Sequence, residues 1–152
     1  MELILFETPV GVLGLGAERD AIVRLYLPHM PLPRIACHET PLLLEGKGQL
    51  LDYFEGKRRA FDLPLRFEGA TPFQNRVWQA LLTIPYGETC TYGQLAAQVG
   101  CPKGAQAVGQ ANKRNPLPIL IPCHRVVAAA GKLGGYNGGP ALKQALLRRE
   151  QQ

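Results

Sequence analysis

The most informative stretch of this chain is Ile121-Pro122-Cys123-His124-Arg125-Val126-Val127. It lies in an apolar run and follows a proline-stiffened approach, Asn115-Pro116-Leu117-Pro118. Cysteine attacks as the thiolate, which nearby cationic or hydrogen-bonding groups favour. The Cys-His pair therefore predicts a nucleophile at Cys123. A buried structural cysteine with a chance histidine neighbour is the alternative, because buried cysteines are common.

A thiol nucleophile needs a proton acceptor and a group that orients this acceptor. His124 is the only histidine in the C-terminal half, and Glu88 and Glu150 are the only carboxylates there. Adjacent side chains do not easily point at each other, so we expect Cys123 and His124 to communicate through a water. Glu150 is predicted to hold the imidazole. The alternative for Glu150 is a solvated terminal carboxylate.

The charge is distributed unevenly along the chain. Residues 1–70 carry 8 Lys or Arg and 10 Asp or Glu, a net charge of −2, whereas residues 71–152 carry 9 and 2, a net charge of +7. A basic segment attracts polyanions, because each cation that faces a phosphate releases condensed counterions. The second half is therefore predicted to bind nucleic acid, the alternative being a basic surface kept for solubility.

Start and stop signals predict several helices in the second half. Thr71-Pro72 predicts an N-cap and first turn, with Val77, Trp78, Leu81 and Leu82 on one face. The other predicted helices are Tyr92 to Val99 after a Thr91 cap, Lys103 to about Lys113 after Pro102, and Pro140 to Glu150. The two short helices around Gly100-Cys101 have the proportions of a helix-turn-helix.

The helix predicted from Lys103 to Lys113 carries unusually small side chains. Gly104, Ala105, Ala107, Gly109 and Ala111 leave it slim, and Lys103, Lys113 and Arg114 flank it. A slim helix can enter a narrow groove, and the minor groove offers only a degenerate base code. Tight helix–helix packing is the alternative explanation for the small residues.

The first half is predicted to form a small sheet with one helix. Leu3–Phe6 and Ala21–Leu27 have strand composition, with Gly11, Gly14, Gly16 and Glu18–Asp20 taken as turns. A loop is predicted over residues 28–39, a helix from about Leu42 to Phe54, and a connecting strand and linker over residues 56–70. The expected fold is therefore α+β, with a sheet-plus-helix domain at 1–70. A mostly helical domain at 71–152 contains the helix-turn-helix and the active-site cysteine.

Composition excludes several classes of protein. No apolar run approaches the roughly 20 residues that span a membrane, and no signal pattern begins the chain. Four cysteines without a C-x-x-C pair indicate a reducing, cytoplasmic setting. A zinc site from His29, Cys37 and His38 is conceivable, although its spacing matches no common pattern. The glycine-rich residues 128–139 match neither a Rossmann nor a P-loop motif, and we expect them to form a loop that lines one side of a binding site for a flat ligand.

Five motifs of the second half form a recognisable set: Thr91-Tyr92-Gly93-Gln94-Leu95-Ala96, Ala107-Val108-Gly109, Asn115-Pro116-Leu117-Pro118-Ile119-Leu120, Pro122-Cys123-His124-Arg125-Val126-Val127 and Gly135-Tyr136-Asn137-Gly138-Gly139. With these motifs the chain resembles the O6-alkylguanine-DNA alkyltransferases, also called methylated-DNA–protein-cysteine methyltransferases. The resemblance is strong over about residues 71–150, whereas the first 70 residues agree only in length and strand–helix character.

The resemblance implies a direct-reversal repair reaction without a metal or other cofactor. Cys123 would accept an alkyl group from guanine O6, and less well from thymine O4, in one irreversible turnover. His124 and Glu150 would activate Cys123 through water, and Tyr92 would assist base flipping and protonate the departing guanine. Asn115 would tie the active-site segment to the helix-turn-helix. The first domain would be ribonuclease H-like.

The resemblance also implies how damaged DNA is bound. Double-stranded DNA would bind through its minor groove to a monomer, and the alkylated base would be flipped into a pocket. Backbone carbonyls of Cys123 and Val126 would read the guanine amino group, with Pro118 and Tyr136 flanking the base. Asn137 replaces a hydroxyl residue that is common in the family; it would substitute as the donor to O6, with the nearby backbone amides as the alternative. The DNA-binding residues would be Lys103, Gln106, Ala107, Gly109, Lys113, Arg114 and Arg125.

A further departure from the family pattern, at Gln106, matters more. The family usually has arginine where this chain has Gln106, and that arginine fills the gap left by the extruded base. Glutamine can hydrogen-bond the orphaned base but lacks charge and reach. We therefore expect weaker damage searching or slower flipping, with reaction of a free base much less affected.

Three other functions compete with repair. A sensor of alkylated DNA would flip bases without repairing them, but such relatives lack the acceptor cysteine. A Cys-His hydrolase would turn over repeatedly and would not explain the slim basic helix. A DNA-binding regulator would use the helix-turn-helix and leave the thiol idle.

Overall fold

A computed structural model describes all residues, 1–152, and divides them between two units, Met1–Glu68 and Gly69–Gln152. The first unit contains a three-stranded sheet and one helix, and the second contains four α-helices with a short two-stranded sheet. The predicted α+β class is therefore confirmed. No helix has the length and apolar character needed to cross a membrane.

The sheet of the first unit is an antiparallel meander of β1 (Glu2–Thr8), β2 (Gly11–Glu18) and β3 (Ala21–Tyr26). The prediction that Gly14 and Gly16 mark turns is wrong, since both lie inside β2. A Cβ at Gly14 would lie 3.1 Å from the Leu5 side chain, and one at Gly16 would lie 2.6 Å from Met1 Sδ. Close approach of a neighbouring side chain therefore accounts for Gly14, whereas at Gly16 only the flexible end of Met1 would have to move.

Helix α1 (Pro41–Phe54) packs against this sheet and begins with a Thr40 cap, whose hydroxyl accepts from the Leu43 amide at 3.2 Å. A Cβ at Gly46 would lie 2.9 Å from the side chains of Leu15 and Ile22, so this glycine permits close helix–sheet contact. The strand predicted within residues 56–70 is not formed. Only an isolated bridge joins Leu65 to Ile22.

The second unit is built from short, sharply delimited elements. Its helices are α2 (Pro72–Leu81), α3 (Tyr92–Gln98), α4 (Ala105–Lys113) and α5 (Pro140–Arg149). Strands β4 (Cys90–Thr91) and β5 (Val126–Val127) pair in parallel, and 3-10 turns cover Cys123–Arg125 and Ala129–Gly131. The pairing of β4 with β5 brings the start of α3 next to the chain that follows Cys123.

Reciprocal capping boxes begin α2 and α3, with Thr71 facing Gln74 and Thr91 facing Gln94. Val77, Trp78 and Leu81 are buried on α2 as predicted, but Leu82 is 42% exposed. Leu82 is the C-cap residue of α2 and lies outside the buried face that Val77, Trp78 and Leu81 form.

Helix α4 begins at Ala105, two residues later than predicted. The Gly104 amide donates to the Cys101 carbonyl at 2.7 Å, and this turn leaves Lys103 outside the helix. Val108 and Ala111 are buried, and Trp78 Nε1 donates to the Ala111 carbonyl at 2.9 Å. Helices α3 and α4 contact each other, but their assignment as a helix-turn-helix stays a prediction.

The zinc site considered for His29, Cys37 and His38 is not formed. No group of three His, Cys, Asp or Glu side chains lies close enough together to hold a metal ion. His38 instead faces Glu2 across 3.4 Å at the surface of the first unit.

Candidate active site

Cys123 is buried at the first residue of its 3-10 turn, at the end of a tight loop. The Ile121 amide donates to the Leu117 carbonyl at 2.8 Å, and the Cys123 amide donates to the Ile121 carbonyl at 2.7 Å. Within this loop Ile119 has φ +74°, a conformation that β-branched residues rarely adopt. Such strain persists only where surrounding contacts impose it, and it is concentrated at functional sites.

Two asparagines brace the loop. Asn115 Nδ2 donates to the Ile121 carbonyl at 2.8 Å, and its Oδ1 accepts from the Leu117 amide at 2.9 Å. Asn112 Nδ2, on α4, donates to the Cys123 carbonyl at 3.3 Å. Asn112 was not among the predicted site residues, yet it joins α4 directly to the backbone of the cysteine.

Glu150 is buried at the end of α5, where its carboxylate binds three groups. His124 Nε2 lies 2.7 Å from Oε2, Arg125 donates from Nε and Nη2 at 2.8 and 3.1 Å, and the Gly87 amide donates at 3.3 Å. His124 and Glu150 are 0% and 5% exposed. The structure therefore places His124 against the carboxylate that the sequence analysis selected to orient it.

The prediction that Arg125 binds DNA is wrong. Its side chain is 6% exposed, forms a bidentate pair with Glu150 and donates from Nη1 to the Ile84 carbonyl at 2.6 Å. The buried guanidinium compensates the charge of the buried Glu150 carboxylate, because either charge alone would be costly inside the protein. Arg125 is therefore part of the active-site framework.

The Glu150 carboxylate fixes the tautomer of His124. Facing an ionised carboxylate, Nε2 carries the proton and donates it to Oε2, which leaves Nδ1 as the acceptor. Nδ1 is buried and forms no hydrogen bond with the protein. Burial lowers the pKa of His124, against the opposing effect of Glu150, so the imidazole rests neutral and can accept a proton.

The Cys123 thiol rests protonated. Burial raises its pKa to about 11, and the Asn115 side chain, the charge of Lys143 and the Tyr136 hydroxyl act in the opposite direction. A protonated, buried thiol is protected from adventitious oxidation, because reactivity follows thiolate character and exposure. It must lose its proton to a nearby base before it can attack.

Lys143 is a site residue that the sequence analysis missed. It lies on α5, is fully buried, and donates from Nζ to the carbonyls of Val126 at 2.5 Å and Gly135 at 3.1 Å. Burial lowers its pKa to about 8, and the charge of the Cys123 thiolate raises it. The Val126 carbonyl, expected to read guanine, thus already accepts one hydrogen bond from the protein.

Tyr92 opens α3 and lies between α4 and the loop formed by residues 132–139. Its hydroxyl donates to the Gly135 carbonyl at 3.3 Å. Its ring lies 3.7 Å from the position of a Cβ at Gly109 and 3.0 Å from one at Gly134, so both glycines make room for it. Burial raises the pKa of Tyr92, which keeps the phenol protonated as a possible proton donor.

The residues expected to flank the substrate lie on two segments near the cysteine. Pro118 is buried in the strained loop, and Tyr136 is half-buried in the 132–139 loop, where its hydroxyl acts to lower the pKa of Cys123. Asn137, expected to donate to guanine O6, donates instead from Nδ2 to the Lys113 carbonyl. Its side chain is therefore engaged with α4 in this structure.

The exposed side of α4 presents a neutral ridge with cations at its C-terminal end. Gln106 and Ala107 are exposed, as are Lys113 and Arg114, and Lys103 is exposed in the turn before the helix. A cavity of about 370 Å³ lies on one side of the ridge, between α4, Tyr92 and Gly135. A second cavity, of about 340 Å³, lies between α4 and the start of α2. Gln110, which was not predicted, lines both.

Comparisons with known proteins agree with one another. Residues 72–152 match the family model described as "6-O-methylguanine DNA methyltransferase, DNA binding domain". The constitutive methylated-DNA–protein-cysteine methyltransferase of Bacillus subtilis is 49% identical over 148 residues, covering 93% of this chain and 89% of the relative. A similarly named protein of Methanosarcina acetivorans is 41% identical, covering 99% of this chain and 98% of the relative.

Solved structures show the same likeness. The crystal structure of Mycobacterium tuberculosis OGT in complex with DNA superposes with a TM-score of 0.92 at 42% identity, covering 99% of this chain and 93% of that one. The structure described as Mycobacterium tuberculosis O6-methylguanine methyltransferase superposes with a TM-score of 0.90 at the same identity. The likeness therefore extends over both units.

Proposed function

This chain belongs to the 6-O-methylguanine DNA methyltransferase family, and from that premise we propose that Cys123 is its alkyl acceptor. The protein repairs DNA by direct reversal, passing an alkyl group from DNA to one of its own cysteines. The proposed substrate is O6-alkylguanine, with O4-alkylthymine reacting less well. Each molecule would react once, because the thioether formed at the acceptor is stable.

In the proposed activation step, the thiol proton of Cys123 passes through a bridging water to Nδ1 of His124. The imidazolium that forms keeps its other proton on Nε2, 2.7 Å from Glu150, and the carboxylate stabilises this cation. Arg125 keeps Glu150 ionised, so that the imidazole always faces a negative charge. Lys143 and Tyr136 favour the thiolate as it develops.

In the proposed transfer step, a sulfur–carbon bond forms as the bond between that carbon and guanine O6 breaks. The electron pair of the broken bond goes to guanine. A ring nitrogen of guanine takes a proton from Tyr92, so guanine is displaced as a neutral base. The Tyr92 phenolate then regains a proton from the His124 imidazolium or from solvent. Protonation matters because an anionic guanine is a poorer leaving group.

The reaction requires the base to leave the DNA stack. Cys123 is 4% exposed, so a stacked guanine cannot bring its alkyl carbon to the sulfur. The exposed ridge of α4 is slim enough to enter the minor groove, and Lys103, Lys113 and Arg114 can pair with phosphates beside it. We propose that one copy binds duplex DNA in this way, in the cytoplasm and on the nucleoid.

One observation supports this function above the others: the buried His124–Glu150–Arg125 cluster lies beside a buried thiol. The test is incubation with a duplex oligonucleotide that carries O6-methylguanine with a labelled methyl group. We expect one label per protein molecule and no further turnover. Mass spectrometry should find about 14 Da, one CH₂ unit, on the peptide that contains Cys123.

The remaining cysteines supply internal controls. Cys37, Cys90 and Cys101 are also free thiols and should stay unmodified in the same digest. Label on one of them would overturn the assignment of Cys123. Binding without transfer would favour the alkylated-DNA sensor, and repeated turnover would favour the hydrolase.

Gln106 provides a prediction about lesion search. It lines the cavity beside Tyr92 and is exposed on α4, where an arginine could extend without a clash with buried residues. We expect Gln106→Arg to tighten DNA binding and to raise the rate of duplex repair about threefold to tenfold, on the scale of one net hydrogen bond. Fluorescence anisotropy and single-turnover repair measure the two effects.

The free base serves as the control for Gln106→Arg, since it needs neither DNA binding nor flipping. Its reaction rate should change by less than about twofold, because Gln106 lies outside the Cys123 loop. If DNA affinity and duplex repair both stay at the wild-type level, Gln106 does not limit either step.

A further inference from the structure

The 132–139 loop is held in place by hydrogen bonds to three helices. Tyr92 at the start of α3 and Lys143 on α5 both donate to the carbonyl of Gly135, at 3.3 and 3.1 Å. Asn137, within the loop, donates to the carbonyl of Lys113 on α4. The bonds to α3 and α5 secure the part of the loop that faces Cys123, whereas the Asn137 bond secures it to the helix proposed to bind DNA.

The contact with α4 has two parts. Lys113 is the last residue of α4, and its carbonyl is one of those that a helix end leaves without an intrahelical partner. Asn137 therefore acts as a C-terminal cap supplied from outside the helix. The Lys113 side chain lies over the loop as well, with Cε 3.1 Å from the position of a Cβ at Gly135.

We propose that Asn137 is a positioning residue that fixes the 132–139 loop at a set distance from α4. The inference rests on the proposed function, because it assumes that DNA binds on α4 while the flipped base enters beside Tyr136. A flipped base stays attached to DNA through its backbone. The pocket must therefore lie at the right distance from the DNA-binding helix as well as from the sulfur.

This role differs from direct donation to guanine O6. A donor to O6 acts on any substrate that reaches the pocket, including the free base. The hydrogen bond between Asn137 and α4 would affect only the reaction of a base that is tethered to DNA, because the free base does not bind to α4. The two roles therefore predict different substrate dependence for the same substitution.

The test compares Asn137→Ala and Asn137→Asp with the wild-type chain on two substrates. These are duplex DNA containing O6-methylguanine and the free base O6-methylguanine. We expect duplex repair to fall about tenfold in both variants, the scale of one net hydrogen bond, and the free-base rate to change less than about twofold. Gln144→Ala, an exposed amide on α5, is the matched control and should leave both rates unchanged.

Equal losses on duplex and free base would overturn the proposal in favour of a direct contact with O6, and so would full recovery of both rates in Asn137→Ser. Unchanged rates in Asn137→Ala would show that the hydrogen bond between Asn137 and α4 has no role in either reaction. Thermal unfolding of each variant identifies any general loss of structure, and the nearly isosteric Asn137→Asp supplies the comparison if Asn137→Ala unfolds. Failure of the wild-type chain to transfer the alkyl group would instead refute the proposed function.

Discussion

Replacing Glu150 by glutamine is expected to slow alkyl transfer by at least about 100-fold, within the range of general acid–base contributions. In the proposed mechanism His124 accepts the thiol proton, and the amide could not stabilise the imidazolium that this transfer forms. The substitution also leaves the buried guanidinium of Arg125 without its counter-ion. We therefore expect the free energy of unfolding to fall by about 3 kcal/mol.

The two effects of Glu150→Gln can be separated with a second substitution. Arg125→Met in the same chain removes the uncompensated charge, so the double variant should regain most of the lost stability. Its transfer rate should stay low, because His124 still lacks an ionised partner. Urea unfolding and single-turnover transfer with protein in excess measure the two quantities.

Glu88 supplies the matched control, since it is the other carboxylate of the C-terminal half and is exposed. Glu88→Gln should leave the transfer rate and the stability at wild-type levels. A double variant at Arg125 and Glu150 that reacts as fast as the wild-type chain would assign the buried cluster a purely structural role.

Local signals in the sequence were sufficient for most helix boundaries in the second unit. Thr71 and Thr91 cap the helices that follow them, and Gly100, at φ +80°, ends α3. Caps and stops are interactions among residues three or four positions apart, so the sequence contains them explicitly. The start of α4 was missed because Gly104 offers no side-chain cap to mark it.

The glycines of the first unit were misinterpreted because their roles depend on contacts with residues that are distant in the sequence. Gly14 in β2 and Gly46 in α1 lie close against side chains from other elements. Without knowledge of which elements meet, glycine in a sequence indicates a turn as readily as a close contact. The reason for glycine at these positions is a tertiary contact, which the sequence alone does not show.

The charged residues of the site were also hard to assign from the sequence, because their partners are distant along the chain. Arg125 was assigned to DNA together with the other cations of the resemblance, but its partner is a carboxylate 25 residues away. One signal could have corrected this assignment. Lys143, Leu146 and Glu150 recur at spacings of three and four, so the buried stripe of α5 contains two charged residues. Buried charges require partners, and Arg125 was an available cation.

Lys143→Met is expected to slow alkyl transfer by about 50-fold at neutral pH, because a nearby cation shifts a thiol pKa by one or more units. Methionine is similar in length to lysine and fills much of the same space, but it removes the charge that favours the Cys123 thiolate. It also removes the donor to the carbonyls of Val126 and Gly135. Lys132→Met, an exposed lysine of the same unit, is the matched control and should react at the wild-type rate.

The same substitution should change how stability depends on pH. In the folded protein burial lowers the pKa of Lys143 to about 8, whereas a lysine in the unfolded chain titrates near about 10.4. Between these values the unfolded chain binds the additional proton, so the contribution of Lys143 to the free energy of unfolding rises with pH. We expect a gain of about 2 kcal/mol between pH 7 and pH 10, less than the full shift implies because a lysine in the unfolded chain is still mostly protonated at pH 10.

Urea unfolding of the wild-type chain and of Lys143→Met at several pH values measures this contribution as a difference. The raised pKa of Cys123 acts in the opposite direction between about pH 9 and pH 11, and it is common to both chains, so most of its effect cancels. A difference that stays constant from pH 7 to pH 10 would show that Lys143 is not held in a charge-penalising environment. A wild-type transfer rate in Lys143→Met would show that its charge does not assist the thiolate.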